Sequence, residues 1–289
     1  MLCGEGVAFM SLVKRHPIIT FFLLAYALSW LGWPMWALGL YPIPVFSFGP
    51  FLAALVVLAI THGKSGVGGL LGRMVRWRVG LEWYAVALLL PVGLAIAATV
   101  LNVLLGAQAP SSVELGTWPN LFVIFALVLL IPGLGGAWEE PGWRGYALPR
   151  LQTGRSALFA SLILGVLIVG WHLPLMVVGQ VHYSDIVLIM GAVVIFNWVF
   201  NNTNGSVLII MLMHASNNTI SGSFFSPMFS GADSVRQSWV LAVVWCVVAI
   251  AVVIVAGPKH LSRKHKKQEE EGAARPGVAT PGVVKPTPA

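Results

Sequence analysis

The 289-residue chain is 57% hydrophobic and 9% charged, with a mean hydropathy of +0.85 and a net charge of +7. A soluble domain would carry about a quarter charged residues, so this composition excludes a soluble globular protein and indicates a multi-pass membrane protein. The two cysteines, Cys3 and Cys246, are too few for a disulfide framework and do not lie in a metal-ligand spacing.

Apolar runs of membrane-spanning length define the predicted architecture. Each is close to the ~20 residues that a spanning helix requires. The first follows Lys14 and Arg15 and has the length of a retained signal anchor. We therefore predict an all-α, polytopic transmembrane bundle of about eight spanning helices, at residues 18–40, 46–62, 82–106, 119–139, 156–179, 185–203, 205–223 and 237–257.

The basic residues predict the topology, since cytoplasmic loops of membrane proteins are rich in Lys and Arg. With the N-terminus inside, Arg236 is the single one of 17 Lys and Arg residues on the outside. Both termini are therefore expected in the cytoplasm, and the positive charge needs no nucleic-acid partner. We predict a membrane domain at 1–257 and a disordered, basic and Pro-rich cytoplasmic tail at 258–289. The compact chain favours a bacterial cell (inner) membrane, with the lipid bilayer as its surroundings.

Two adjacent glutamates end the apolar run that begins at Leu121. An ionisable group at membrane depth costs several kcal/mol, roughly 2.5–3.5 on the mildest scale, and usually serves a function. Glu140 and Arg144 are spaced i, i+4, which predicts an ion pair on one helix face and leaves Glu139 free for chemistry. Pro141 predicts a kink or a helix end at this point. The alternative is that the glutamates cap a helix at the membrane interface.

Two later apolar segments each contain one histidine. His172 lies in ASLILGVLIVGWHLPLMVVG, and His214 is followed one helical turn later by Asn218. Each alone is explained by hydrogen bonds between helices. Together with the glutamates they predict one buried site with a general base and oxyanion donors, in the cytoplasmic half of the membrane. The other asparagines fit a structural role: Asn197, Asn201, Asn202, Asn204 and Asn217.

The order of these motifs resembles the CAAX protease and bacteriocin-processing (CPBP) family of intramembrane proteases, which includes the type II CAAX prenyl endopeptidases. The resemblance covers about residues 119–223, through EEPGWRGYALPRLQ, GWHLPL and NWVFNNTNGSVLIIMLMHASNN. It implies a helical membrane endopeptidase in which Glu139 and His172 activate a water molecule and His214 and Asn218 stabilise the oxyanion. Glu140 and Arg144 then support the site. Ile168 departs from the family pattern, which has an aromatic residue at this place.

Other mechanisms and functions remain open at this stage. A zinc-dependent protease would use Glu139, His172 and His214 as ligands, although the chain has no HExxH motif. The favoured mechanism requires no cofactor. A non-enzymatic bacteriocin-immunity or membrane-assembly protein with this fold would tolerate loss of Glu139, and a proton-coupled transporter is a third class. For the protease we expect membrane-associated peptides or proteins as substrates.

Overall fold

A computed structural model describes residues 10–262, and within this range the secondary structure is entirely helical. Short 3₁₀ turns cover Gly136–Glu139 and Ser226–Met228, and π-helical segments cover Trp143–Ala147 and Asn218–Phe225. The α-helices are α1 (Pro17–Trp30), α2 (Gly32–Ala37), α3 (Gly49–Met74), α4 (Leu81–Leu104), α5 (Ser112–Leu115), α6 (Asn120–Leu130), α7 (Glu140–Gly142), α8 (Leu148–Leu151), α9 (Ala157–Val177), α10 (Asp185–Asn202), α11 (Val207–Asn217) and α12 (Gly231–Ala256).

Six helical segments in the described range are long and apolar enough to cross a membrane. Their outer faces carry exposed apolar side chains, such as Leu89, Val166 and Ile250, which are stable against lipid rather than water. Helices also satisfy their own backbone hydrogen bonds, as a bilayer requires. The chain is therefore an integral, multi-pass membrane protein. The segments are Pro17–Ala37, Gly49–Met74, Leu81–Leu104, Ala157–Val177, Asp185–Asn202 and Gly231–Ala256.

Two of the eight predicted spans are built differently from the other six. The run 119–139 contains an 11-residue helix, α6, which ends at Leu130. Pro132 and three glycines follow it, and proline and glycine both disfavour a helix interior. The run 205–223 contains α11, also of 11 residues, which continues directly into a π-helix up to Phe225. Both irregular stretches lie beside predicted site residues.

Helix α3 changes direction at Gly63. This residue has φ 59° and ψ −149°, a left-handed backbone conformation that glycine adopts without a steric penalty. The apolar half, 49–62, matches the predicted span. The second half, 64–74, forms a separate helical arm beyond the predicted span 46–62.

Close helix contacts are made at small residues, as in other membrane bundles. Gly49 lies against Ser29 of α1, since a Cβ on Gly49 would be 2.0 Å from Ser29 Oγ. Gly191 lets α10 approach α12, with a Cβ position 3.0 Å from the backbone nitrogen of Cys246. Helix α11 packs between α4 and the turn Gly136–Glu139. The predicted site segments therefore lie inside the bundle.

The loops meet in two groups. At one end of the bundle, Ser206 Oγ donates to the Arg76 carbonyl (2.7 Å), and the Ala157 N–H donates to the Lys259 carbonyl (2.8 Å). At the other end, Gln180 Nε2 donates to the Pro42 carbonyl at 3.0 Å. The distribution of basic residues predicts that the first group of loops is cytoplasmic and that the second group lies on the outer side. The orientation of the bundle in the membrane stays a prediction.

The first residues of the predicted tail pack against the bundle. Asn201 Nδ2 and Asn202 Nδ2 each donate to a backbone carbonyl, of His260 and Leu261, at 2.9 Å. The Leu261 side chain is fully buried. The packed region therefore extends to Ser262, beyond the predicted boundary at 257. The remainder of the predicted tail, 263–289, lies outside the described residues.

Candidate active site

One cavity of about 430 Å³ inside the bundle is lined by every predicted site residue. The first motif contributes from the helical turns after α6, the second from α9, and the third from α11 and the π-helix that follows it. Three sequence motifs that are far apart along the chain thus face the same space. The lining includes Glu139, Glu140, Arg144, His172, His214 and Asn218.

Glu140 is the centre of the polar contacts. Its carboxylate is fully buried and accepts hydrogen bonds from Arg144 Nη1 at 3.0 and 2.9 Å, so the pair that the i, i+4 spacing predicted is present. The same carboxylate contacts His214 Nδ1, with Oε1 at 2.6 Å. Glu140 therefore joins the first motif to the third.

Arg144 is held from its other side by α9 and α10. Its Nε donates to Asn197 Oδ1 (3.1 Å), and Asn197 Nδ2 donates to Ser161 Oγ (2.8 Å). The guanidinium carbon also lies 5.0 Å from the centre of the Phe196 ring, a favourable cation–π distance. These contacts fix the guanidinium, and through it the Glu140 carboxylate.

The sequence predicted that the Glu139 carboxylate is free of partners. In the structure it is bonded to a neighbouring indole. Its Oε2 accepts a hydrogen bond from Trp143 Nε1 at 3.2 Å, and the residue is 5% exposed. The second oxygen, Oε1, accepts no hydrogen bond from the described residues. The indole fixes the carboxylate while leaving this second oxygen available at the cavity.

The local helix is neither broken nor ended at Pro141. This proline lies in the first turn of α7, where its missing N–H removes no hydrogen bond. The chain then widens into the π-helix Trp143–Ala147, which includes Arg144. A second π-helix begins at Asn218. Single π turns inside helices often occur at functional sites, and here both contain a residue that lines the cavity.

The hydrogen bond of His172 defines its tautomer. His172 Nδ1 lies 2.9 Å from the Ile168 carbonyl oxygen, which can only accept, so Nδ1 carries the proton. In the neutral ring, Nε2 therefore has a free lone pair and can accept a proton. Among the described residues, Glu139 and His172 share the cavity without a direct hydrogen bond to each other.

His214 and Asn218 lie against the backbone of Gly136. In the amide orientation that satisfies both of its ends, Asn218 Oδ1 accepts from the Gly136 N–H at 2.9 Å and Nδ2 donates to the His214 carbonyl at 3.3 Å. A Cβ on Gly136 would lie 2.1 Å from His214 Nε2. A glycine is therefore required here, and one N–H of the Asn218 amide is left for a ligand.

The rest of the cavity is mainly apolar and extends away from the arginine-rich end. Its walls include Val128, Leu175, Ile189 and Leu241. It continues to the segments that carry Val45, Ser226 and Gln237, at the end of the bundle that the basic residues predict to be outside. Such a space accommodates an apolar peptide segment next to the polar site.

The residues do not fit the zinc site that the sequence left open as an alternative. Among residues 10–262, no three His, Cys, Asp or Glu side chains are grouped so as to hold a metal ion. We therefore derive no chemistry through a metal.

Three residues at the site were not predicted from the sequence. Trp143 holds Glu139, Asn197 holds Arg144, and Gly136 makes room for His214. The contact of Trp143 with Glu139 could have been predicted, because Trp143 follows Glu139 by four residues, as Arg144 follows Glu140. Asn197 had none, since its contact with Arg144 depends on how two distant helices pack.

Comparisons with known proteins agree with this arrangement. Residues 118–220 match the family model described as Type II CAAX prenyl endopeptidase Rce1-like. A curated relative, the CAAX prenyl protease 2 of Methanococcus maripaludis, is 23% identical over 180 residues, which are 57% of this chain. The match spans 65% of that relative's length. The family match covers all three motifs that line the cavity, so over this region the chain is similar to the type II CAAX prenyl endopeptidases.

Proposed function

We propose that the protein is an intramembrane endopeptidase that hydrolyses peptide bonds of membrane-associated peptides or proteins. The observation that carries the proposal is the shared cavity, which is lined by Glu139, His172, His214 and Asn218. A base and a set of oxyanion donors in one enclosed space are what amide hydrolysis by water requires.

Water activation is assigned to Glu139 and His172. A water molecule in the cavity, held by a hydrogen bond to Nε2 of His172, donates a proton to the free oxygen of Glu139, and its oxygen attacks the peptide carbonyl carbon. The carbonyl π electrons move to oxygen, which gives a tetrahedral oxyanion. A positioned base of this kind typically contributes 10²–10⁴-fold to the rate.

Oxyanion stabilisation is assigned to His214 and Asn218. Since the Glu140 carboxylate accepts the Nδ1 proton of His214, Nε2 of that ring can donate only in the doubly protonated form. The carboxylate stabilises this cation, and Arg144 in turn holds the carboxylate. The remaining N–H of Asn218 supplies a second donor. Loss of one such donor typically costs 10²–10³-fold in kcat.

The reaction ends when the C–N bond breaks. The protonated base returns its proton to the leaving amine nitrogen, the carbonyl re-forms, and the products are a new carboxyl terminus and a new amino terminus. Every proton that leaves the water is thereby accounted for without a covalent enzyme intermediate.

The test is cleavage of a peptide panel by the purified chain in detergent, with products identified by mass spectrometry. We expect His172→Ala to lower kcat/KM at least 10²-fold. The matched control is His62→Ala, because His62 is exposed and does not line the cavity. Equal activity of His172→Ala and the control would contradict the assignment, and a wild-type chain that cleaves no member of the panel would contradict the proposed function.

A further inference from the structure

The cavity lining contains one acidic side chain, that of Asp185, which the proposed mechanism does not use. The Asp185 carboxylate lines the same space as Glu139, at the first residue of α10. Its backbone N–H is bonded to the His182 carbonyl at 2.9 Å. Within residues 10–262, however, no donor or cation reaches its carboxylate. A half-buried carboxylate without a partner is costly unless something else supplies one.

A second unpaired acceptor belongs to Gln237, which lines the same cavity. Gln237 is 3% exposed, and its Nε2 donates to Thr99 Oγ1 at 3.2 Å. Its Oε1 is buried and has no hydrogen-bond partner among residues 10–262. Buried polar atoms of native proteins nearly always have a partner, so this acceptor favours a molecule that brings a hydrogen-bond donor.

The two acceptors are carried near the starts of helices that pack against each other. Helix α10 begins at Asp185, and Gln237 lies near the start of α12. The ring of His182, just before α10, contacts the Trp239 ring with 6.0 Å between centres. These contacts bring the two helix starts to the same end of the cavity.

The charges along the cavity also favour a cation. Three carboxylates line it, against two cationic groups, Arg144 and the protonated His214, which are both paired with Glu140. Within residues 10–262, neither Glu139 nor Asp185 forms an ion pair. An excess of negative groups in an enclosed space concentrates positive ligands.

We infer that Asp185 and Gln237 form a subsite that binds a cationic nitrogen of the substrate, either a Lys or Arg side chain or a free amino terminus. An ammonium has three N–H donors and a guanidinium five, so either group can bond both the carboxylate and the amide oxygen. The inference rests on the proposed function, because it names the substrate class of that same cavity. It also explains why two acceptors in this cavity have no partner among residues 10–262.

The first-turn position of Asp185 also stabilises α10 through the helix dipole. That contribution does not depend on the charge of a bound peptide. A test therefore has to compare charged and neutral peptides on the same variant.

The experiment measures binding to the full-length chain carrying Glu139→Gln, in detergent, so that it does not depend on turnover. The probes are N-acetylated, C-amidated decapeptides of Leu, Ala and Gly in which one lysine is moved through successive positions, and the same peptides with norleucine. A third set has a free amino terminus and norleucine. Binding is followed by intrinsic tryptophan fluorescence, since Trp171 lines the cavity.

We expect at least one lysine position, or the free amino terminus, to bind about ten- to hundredfold more tightly than its neutral counterpart, as hydrogen bonds to charged groups do. Asp185→Asn should reduce this ratio to near one and leave norleucine binding unchanged. Gln237→Met, which removes the unpaired oxygen, should lower the ratio independently. The matched control is Glu114→Gln, since Glu114 is exposed, lies outside the cavity and keeps its capping box as Gln.

Equal binding of lysine and norleucine peptides at every position, with no effect of a free amino terminus, would overturn the subsite. So would a preference that persists in both Asp185→Asn and Gln237→Met. Cleavage of the same peptides by the wild-type chain is scored separately. A chain that binds lysine peptides selectively but cleaves none would refute the proposed function and leave the subsite standing.

Discussion

Gly136→Ala tests the geometry of the oxyanion site with the addition of one methyl group. The new Cβ would lie 2.1 Å from His214 Nε2, whereas ordinary contacts begin at about 3.4 Å. The ring would have to move by about 1.3 Å, the difference between these distances. It cannot do so and keep its 2.6 Å contact with Glu140.

The expected loss follows from that displacement. A misplacement of about 1 Å can cost roughly 10²-fold in rate, and complete loss of one oxyanion donor costs about 10²–10³-fold. We therefore predict that kcat/KM of Gly136→Ala falls at least about 10²-fold. The loss should appear in kcat more than in KM, because the donor acts on the transition state.

The assay is peptide cleavage by purified variants at equal concentration, with thermal unfolding measured in the same detergent. Gly93→Ala is the matched control, because Gly93 is also helical and a Cβ there would meet no atom within 4 Å. Activity of Gly136→Ala above about a third of the control, with a similar melting temperature, would refute the assignment of His214 to the oxyanion.

The remaining predictions concern the supporting contacts. Trp143→Phe removes the hydrogen bond to Glu139 and should lower kcat/KM while the aromatic packing is kept; an unchanged pH–rate profile and rate would contradict this role. Asn197→Leu removes the acceptor of Arg144 Nε and should lower kcat about tenfold or more at similar KM, and a change in KM alone would be evidence against positioning. The chelator 1,10-phenanthroline should leave the initial rate unchanged, and inhibition that zinc reverses would restore the metal alternative. Truncation after residue 265 should retain specific activity, whereas truncation after residue 257 should lower the melting temperature through loss of the buried Leu261.

The sequence predicted those parts of the site that depend on local spacing. Glu140 and Arg144 pair because residues four apart share a helix face, and this holds in any packing. The same rule applied to Glu139 would have identified Trp143. The sequence could not show that His214 bonds Glu140, since 74 residues separate them. That contact depends on the packing of α11 against the turn Gly136–Glu139.

Two of the eight predicted spans differ from regular spanning helices for a physical reason. The runs 119–139 and 205–223 are apolar enough to span, but hydropathy does not register backbone breaks. In the first run, Pro132 and the following glycines end α6 after 11 residues. In the second, a π-helix replaces the α-helix from Asn218 onward. In both cases the irregular backbone lines the cavity, as is typical of non-helical or strained segments at membrane depth.

The central claim is that this cavity hydrolyses peptide bonds with Glu139 as a base. The most direct test measures the cleavage rate and the peptide affinity of Glu139→Gln on one preparation. The control is Glu82→Gln, since Glu82 is exposed and lies outside the cavity. We predict that the rate falls 10²–10⁴-fold while the affinity for the same peptide and the melting temperature stay close to those of the control. A Glu139→Gln variant that retains more than about a tenth of the wild-type rate would contradict the base role.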